Sequence, residues 1–185
     1  MKISFAKRFP DDFNWGAGCA SYQWSGCENT NWAWWETSFA RQLELKFSGE
    51  LDTYPLENFI CKDACRHDRR YVSDFNKAKE FGFNSLRIGS EPAKIMPKEG
   101  VIDKKEIARI VKMAKHLNRI GIKPFWNLWH WTLPLWWENK GGWESPHAVK
   151  YFEFYVQAVA DALVPLGVTR WITMNEVQRI REIFL

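Results

Sequence analysis

Three stretches of this 185-residue sequence run from an amphipathic helical pattern into a glycine and then into a short apolar segment. In "YVSDFNKAKEFGFNSLRIGS" the positions Tyr71, Phe75 and Ala78 share one helix face, Gly82 ends it, and 83–89 reads as a strand. In "KKEIARIVKMAKHLNRIGIKPFWNLWH" the stripe is Ile107, Ile110, Val111, Ala114 and Leu117, the stop is Gly121, and the strand is 122–129. In "PHAVKYFEFYVQAVADALVPLGVTRWITMNE" the stripe is Val149, Phe152, Val156, Val159 and Leu163; Pro165 and Gly167 close it before a strand at 168–174. Glycine after a helix takes the left-handed cap that turns the chain back out. The three glycines lie 39 and 46 residues apart, room for a strand, a loop and a helix. Repeated helix–strand units of this kind imply a parallel sheet covered by helices.

A first strand is expected within 14–20, which makes four. With right-handed crossovers, these strands lie parallel and adjacent in chain order. Residues of about 25–65 form a long insertion between the first strand and the first clear helix, with a short helix near 32–46. Four such strands fit a small open sheet or half of an eight-stranded barrel. In either case the C-terminal strand ends carry the site. Those ends bring Gln23, then Ser90 and Glu91, then His130 and Trp131, then Asn175 and Glu176 to one rim.

Residues 126–137, "WNLWHWTLPLWW", hold five tryptophans around one histidine and read as the wall of that site. Indole faces stack on pyranose rings, and Asn, Gln, His and Trp Nε1 hydrogen-bond to ring hydroxyls. Singly, His130 reads as a satisfied structural histidine and Glu176 as a charge after a strand; their coincidence at separate strand ends points to a sugar site. Glycosidic cleavage needs a carboxylic acid for the leaving oxygen and a second carboxylate across the ring. Indole-rich surroundings raise the pKa of a Glu by desolvation, as a general acid requires.

Other functions are disfavoured. Basic and acidic residues, 26 and 22, are interspersed, and the aromatic-rich stretches are nearly free of Lys and Arg, so nucleic acid is not an expected partner. No apolar run reaches the ~18 residues of a membrane-spanning helix. The start has no apolar segment of signal-peptide length, so a cytoplasmic location is expected. Cys19, Cys27, Cys61 and Cys65 are an even set, but idle or buried thiols are the simpler reading than disulfides or a metal pair helped by His67. No metal or cofactor is expected.

The sequence resembles the N-terminal portion of glycoside hydrolase family 1, the retaining β-glycosidases with a (β/α)8 TIM barrel. Four blocks match in order: "FNWGAGCASYQWSG", "LRIGSEPAKIMP", "NLWHWTLPLWW" followed by "GGWESPHAVKYFEFY", and "WITMNE". The resemblance implies an α/β fold of parallel βα units with about the first four strands present in residues 1–185. It implies Glu176 as acid/base, Asn175 at the sugar 2-hydroxyl, Gln23, His130 and Trp131 as glycone contacts, and Arg87 as the arginine beside the nucleophile. Gly89 and Glu91 lean towards archaeal-type members. The implied substrates are β-D-glucosides, galactosides or mannosides.

Several positions depart from the family pattern. Ser25 stands for Glu, Pro92 and Lys94 for Trp and Arg, Trp129 for Tyr or Phe, and Val177 for Pro, and the ending "VQRIREIFL" matches no family continuation. No block resembling the family's "TENG" nucleophile motif occurs, and Glu28, Glu36 and Glu91 sit in no motif for that role. Whether this chain is an enzyme by itself is therefore left open. The expected partners are a β-linked sugar and, for a half barrel, a second copy or a complementary C-terminal half. The alternative is a truncated, non-catalytic carbohydrate-binding or split-barrel assembly module.

Overall fold

The computed structural model describes residues 9–178, so all but two residues of the ending "VQRIREIFL" lie outside it. Strand β1 is Gly16–Gly18. Helices α1 (Ser21–Ser25), α2 (Asn31–Glu36), α3 (Phe39–Phe47) and α4 (Glu50–Thr53) follow, then α5 (His67–Glu80). Next come β2 (Ser85–Gly89), α6 (Pro92–Ile95), α7 (Lys104–Ile120), β3 (Lys123–Trp129), α8 (Leu135–Glu138), α9 (Ala148–Leu163) and β4 (Arg170–Met174). The helix expected near 32–46 is two helices, because the Ser38 hydroxyl caps α3 by accepting from the Arg41 N–H.

Local chemistry sets the boundaries. Asp103 accepts from the backbone N–H groups of Lys105 and Glu106 and starts α7. Gly121 ends it at φ 69°, and its N–H returns to the last-turn carbonyls of Leu117 and Asn118. The four strands are all parallel and pair in chain order, β1–β2–β3–β4. Register places Gly18 beside Arg87, Arg87 beside Phe125, and Asn127 beside Ile172.

Alternation separates the two faces of the sheet. Leu86, Ile88, Trp126 and Leu128 are buried against α5, α7 and α9 in one core. Each such side chain contributes roughly 1.5–3 kcal/mol of burial. The opposite face carries Gly16, Gly18, Arg87, Phe125 and Ile172 and opens on a cavity of about 620 Å³. The helix stripes of α5 and α7 meet the core as expected. On α9 Val159 and Leu163 are buried as expected, but the earlier buried positions are Ala148, Tyr151 and Tyr155, with Phe152 and Val156 only partly buried and Val149 79% exposed. Tyrosine wins the inward position because its hydroxyl finds a partner there: Tyr155 donates to the Leu128 carbonyl at 2.7 Å.

Among the described residues each outer strand has one neighbour only, β1 with β2 and β4 with β3, and β1 is exposed throughout. Unpaired strand edges are templates for further pairing. Among the described residues no helix is long and apolar enough to cross a membrane.

Candidate active site

The five tryptophans of 126–137 do not form one wall. Trp126, Trp129 and Trp137 are fully buried core residues. Each buried indole N–H has a partner: Ser90 Oγ at 2.8 Å, the Thr132 carbonyl at 3.0 Å and the Gly142 carbonyl at 2.9 Å. Trp136 packs on the same core and donates to the Met96 carbonyl. Only Trp131 turns to the rim, where it shares a cavity of about 130 Å³ with Tyr22, Gln23, Trp32, His130 and Thr132. Five indoles in twelve positions thus divide into core and site, which periodicity could not foresee because a strand, a turn and a helix succeed one another there.

Arg87 is the centre of the polar cluster. Its guanidinium donates to Asn175 Oδ1 at 2.6 Å, tying β2 to the end of β4, and lies beside His130, 3.4 Å from Nδ1, as a neighbouring charge. Gly18 leaves the room for it, since a Cβ there would sit 2.9 Å from Arg87 Cβ. The Asn127 amide satisfies all its neighbours when its N–H groups donate to the Trp129 and Ile172 carbonyls and its oxygen accepts from His130 Nδ1, each at 3.2 Å. His130 Nε2 then remains an acceptor. Gln23 lies not on a strand end but on the single turn of α1, where its Oε1 accepts from the Cys19 thiol at 3.3 Å. Gln23 and His130 line both the small cavity and the larger one on the open sheet face.

Burial, and then the adjacent Arg87 charge, push the His130 pKa down to about 4, while Glu176 pulls in the opposite direction. His130 is therefore a neutral acceptor above about pH 5. Arg87→Met should raise the His130 pKa towards its ordinary value, read by NMR titration of the imidazole; an unchanged titration would remove Arg87 as a cause.

The site carboxylates are distributed differently from the sequence expectation. Glu176, expected among indoles, is exposed. The buried carboxyl is Glu91, whose pKa burial pushes up to about 7. Ser21 Oγ donates to its Oε2 at 3.0 Å, and Thr132 Oγ1 lies 2.9 and 2.8 Å from its two oxygens. Ser21 is two residues before Gln23 and Thr132 is next to Trp131, so Glu91 fastens both segments to the end of β2. Glu36 is also committed, accepting from Tyr22 Oη at 3.0 Å and the Cys61 N–H at 2.9 Å.

Two site residues hold left-handed backbone: Trp131 at φ 73° and Glu176 at φ 46°. Such conformations cost on the order of 1–3 kcal/mol in residues other than glycine and cluster at functional sites. The departures at Ser25 and Lys94 answer one another. Lys94 Nζ donates to the Ser25 carbonyl at 3.3 Å and lies 3.6 Å from Asp68 Oδ2, while the Asp68 N–H donates to Ser25 Oγ at 2.9 Å. Asp68 supplies the carboxylate that Ser25 lacks. The four cysteines are free thiols, and among the described residues no group of three or more His, Cys, Asp or Glu could hold a metal ion.

The sequence model of Glycosyl hydrolase family 1 matches residues 5–183. The beta-glucosidase A of Acetivibrio thermocellus is 30% identical over 169 residues, covering 91% of this chain and 36% of that protein. The beta-glucosidase A of Thermotoga maritima is 27% identical over 174 residues, covering 92% and 36%. Among solved structures, a beta-glucosidase from Exiguobacterium marinum superposes with TM-score 0.77 at 28% identity, covering 91% of this chain and 36% of that one. The chain thus spans about a third of the length of these relatives.

Proposed function

Because the chain belongs to Glycosyl hydrolase family 1, we propose that its rim is the sugar-binding and acid/base portion of a retaining β-glycosidase site. The substrates are β-D-glucosides, galactosides or mannosides. The observation that carries this reading is the convergence at Arg87, which holds Asn175 by a hydrogen bond and lies against His130, beside the cavity of Gln23 and Trp131. These groups arrive from four separate segments, and together they offer an indole face and polar groups of the kind that orient a sugar ring.

Each residue has a role in this reading. Trp131 stacks on the ring, while Gln23, His130 and Asn175 fix its hydroxyls. Glu176 gives its proton to the leaving oxygen and later takes one from the attacking water. Double displacement needs a second carboxylate about 5–5.5 Å from the first. Glu36 and Glu91 are tied into internal hydrogen bonds, so neither serves. The nucleophile comes from a barrel segment other than these residues, completing the sheet along β1 and β4.

Two measurements test this. Sedimentation velocity of the 185-residue chain over a concentration series should show association through the open edges; a monomer at all concentrations, with a sharp cooperative melt, would oppose edge-driven assembly. Hydrolysis of an aryl β-glucoside should be negligible for the chain alone and recovered with a complementary C-terminal half. Robust turnover by the chain alone, unaffected by Glu176→Gln, would overturn the assignment of the site.

A further inference from the structure

Three thiols from separate parts of the sequence converge on α1, the helix that carries Gln23. The Cys19 thiol donates to Gln23 Oε1 and the Cys61 thiol to the Tyr22 carbonyl, each at 3.3 Å. Cys65 lines a cavity of about 390 Å³ together with Ala17, two residues before Cys19, and Trp24, next to Gln23. The segment that holds Cys61 and Cys65 is pressed against α1, since a Cβ on Gly26 would collide with the Lys62 carbonyl oxygen. Its course is fixed by a turn, in which the Ala64 N–H donates to the Cys61 carbonyl at 2.8 Å, and by left-handed backbone at Lys62, Ala64 and Arg66. Burial above all, with Cys65 adding to it, raises the pKa of the Cys19 thiol. Burial, then Glu36 and Cys65, push that of Cys61 up to about 11. The three sulfurs therefore lie within electrostatic reach of one another, and Cys65 is the exposed one.

An exposed thiol beside sheltered ones divides the labour of oxidation: the open sulfur meets the oxidant, and a neighbour resolves it. Cys19 suits the second part better than Cys61. Cys61 is fastened twice, by its thiol to the Tyr22 carbonyl and by its N–H to Glu36. The Cys19 thiol is held only by the movable end of Gln23. We propose that Cys65 and Cys19 form a reversible disulfide that releases Gln23 and so disarms the rim under oxidising conditions. The oxidant is a hydroperoxide. The Cys65 sulfur attacks one peroxide oxygen, the O–O bond breaks, and the other oxygen leaves with the thiol proton as water, giving a sulfenic acid. The Cys19 sulfur then attacks the sulfenic sulfur, the S–O bond breaks, and the hydroxyl departs with the Cys19 proton as a second water. Two thiols lose two electrons, and hydrogen peroxide gains them. A dithiol reverses the bridge by exchange. A disulfide sulfur has no S–H to give, so Gln23 Oε1 loses its donor. The consequence for sugar binding rests on the sugar-site reading; the bridge does not.

Treatment of the full chain with hydrogen peroxide, followed by peptide mass mapping without reduction, tests it. A Cys19–Cys65 linked peptide should form, lighter by two hydrogens, and disappear with dithiothreitol. Cys65→Ser and Cys19→Ser should each abolish it, whereas Cys61→Ser, which keeps a hydroxyl donor for the Tyr22 carbonyl, should retain it. The NMR signals of the Gln23 side-chain amide should shift on oxidation in the wild type and stay in place in Cys65→Ser. Glucose affinity, read by tryptophan fluorescence, should fall roughly two- to tenfold in the oxidised chain, the worth of one hydrogen bond, and return on reduction. A bridge from Cys65 to Cys61, a bridge only between two copies, a Cys65 sulfinic acid beside an intact Cys19 thiol, or unmoved Gln23 signals would overturn the switch. A bridge that forms and shifts Gln23 while neither form binds glucose would overturn the sugar-site reading and leave the bridge standing.

Discussion

Glu91→Ala should destabilise the chain by roughly 3–5 kcal/mol, the largest stability loss expected from any single rim residue. The substitution leaves a cavity and strands the hydroxyls of Ser21 and Thr132, both of which now end on the carboxyl. It also frees α1 from the loop after β3, so Gln23 and Trp131 lose their common anchor. Glu91→Gln keeps the shape and should cost far less. The two variants separate packing from charge. The Glu91 pKa is raised in the fold from about 4.5 to about 7, so the folded state holds the extra proton. Its contribution to stability is complete below about pH 4.5 and is lost as pH rises through about 7. The span is worth on the order of 3 kcal/mol. His130 acts with the opposite sign, its lowered pKa favouring the unfolded chain as pH falls. Wild-type melting curves alone would blur the two. The difference in stability between wild type and Glu91→Gln, measured by urea denaturation from pH 4 to 8.5, isolates the Glu91 term. A flat difference would show that this carboxyl does not titrate as its burial demands.

In a completed barrel, Glu176→Gln should lower kcat/KM for disaccharides by about 10²–10⁴-fold, the usual worth of general acid catalysis. Activated aryl glycosides should lose far less in the glycosylation step, because their leaving groups depart without a proton. The pH profile should lose its basic limb, which reports the group that must stay protonated. An equal loss for both substrate classes would remove Glu176 from the acid role.

The architecture was legible because a glycine that can take the left-handed cap follows each of the three helices that precede β2, β3 and β4. Gly82, Gly121 and Gly167 all adopt positive φ, and a parallel strand follows each. The first three positions of the α9 stripe were read one residue late, while Val159 and Leu163 were read correctly; hydropathy ranks valine above tyrosine, although a phenol with a satisfied hydroxyl buries well. Glu91, His130 and Asn175 were legible at strand ends, since the topology fixes which strand ends are neighbours, whereas Gln23 sits on α1. What joins them was not. Glu91 finds Ser21 seventy residues earlier and Thr132 forty-one later, a relation with no local signature. The Lys94–Asp68 pair was equally hidden: the departures at Ser25 and Lys94 were visible, but their remedy lay on α5.

Glu176, exposed and in left-handed backbone, sets two demands against each other. A side chain bearing Cβ is disfavoured in that conformation by roughly 1–2 kcal/mol, and glycine is not. Among the described residues this exposed side chain makes no side-chain hydrogen bond that its loss would forfeit. Glycine at this position would therefore yield a steadier protein without this carboxyl, and a screen that rewards heat resistance alone would select against the residue proposed here as the acid. Directed evolution for thermal tolerance therefore needs a counter-selection for turnover in the completed barrel, or position 176 will be among the early casualties.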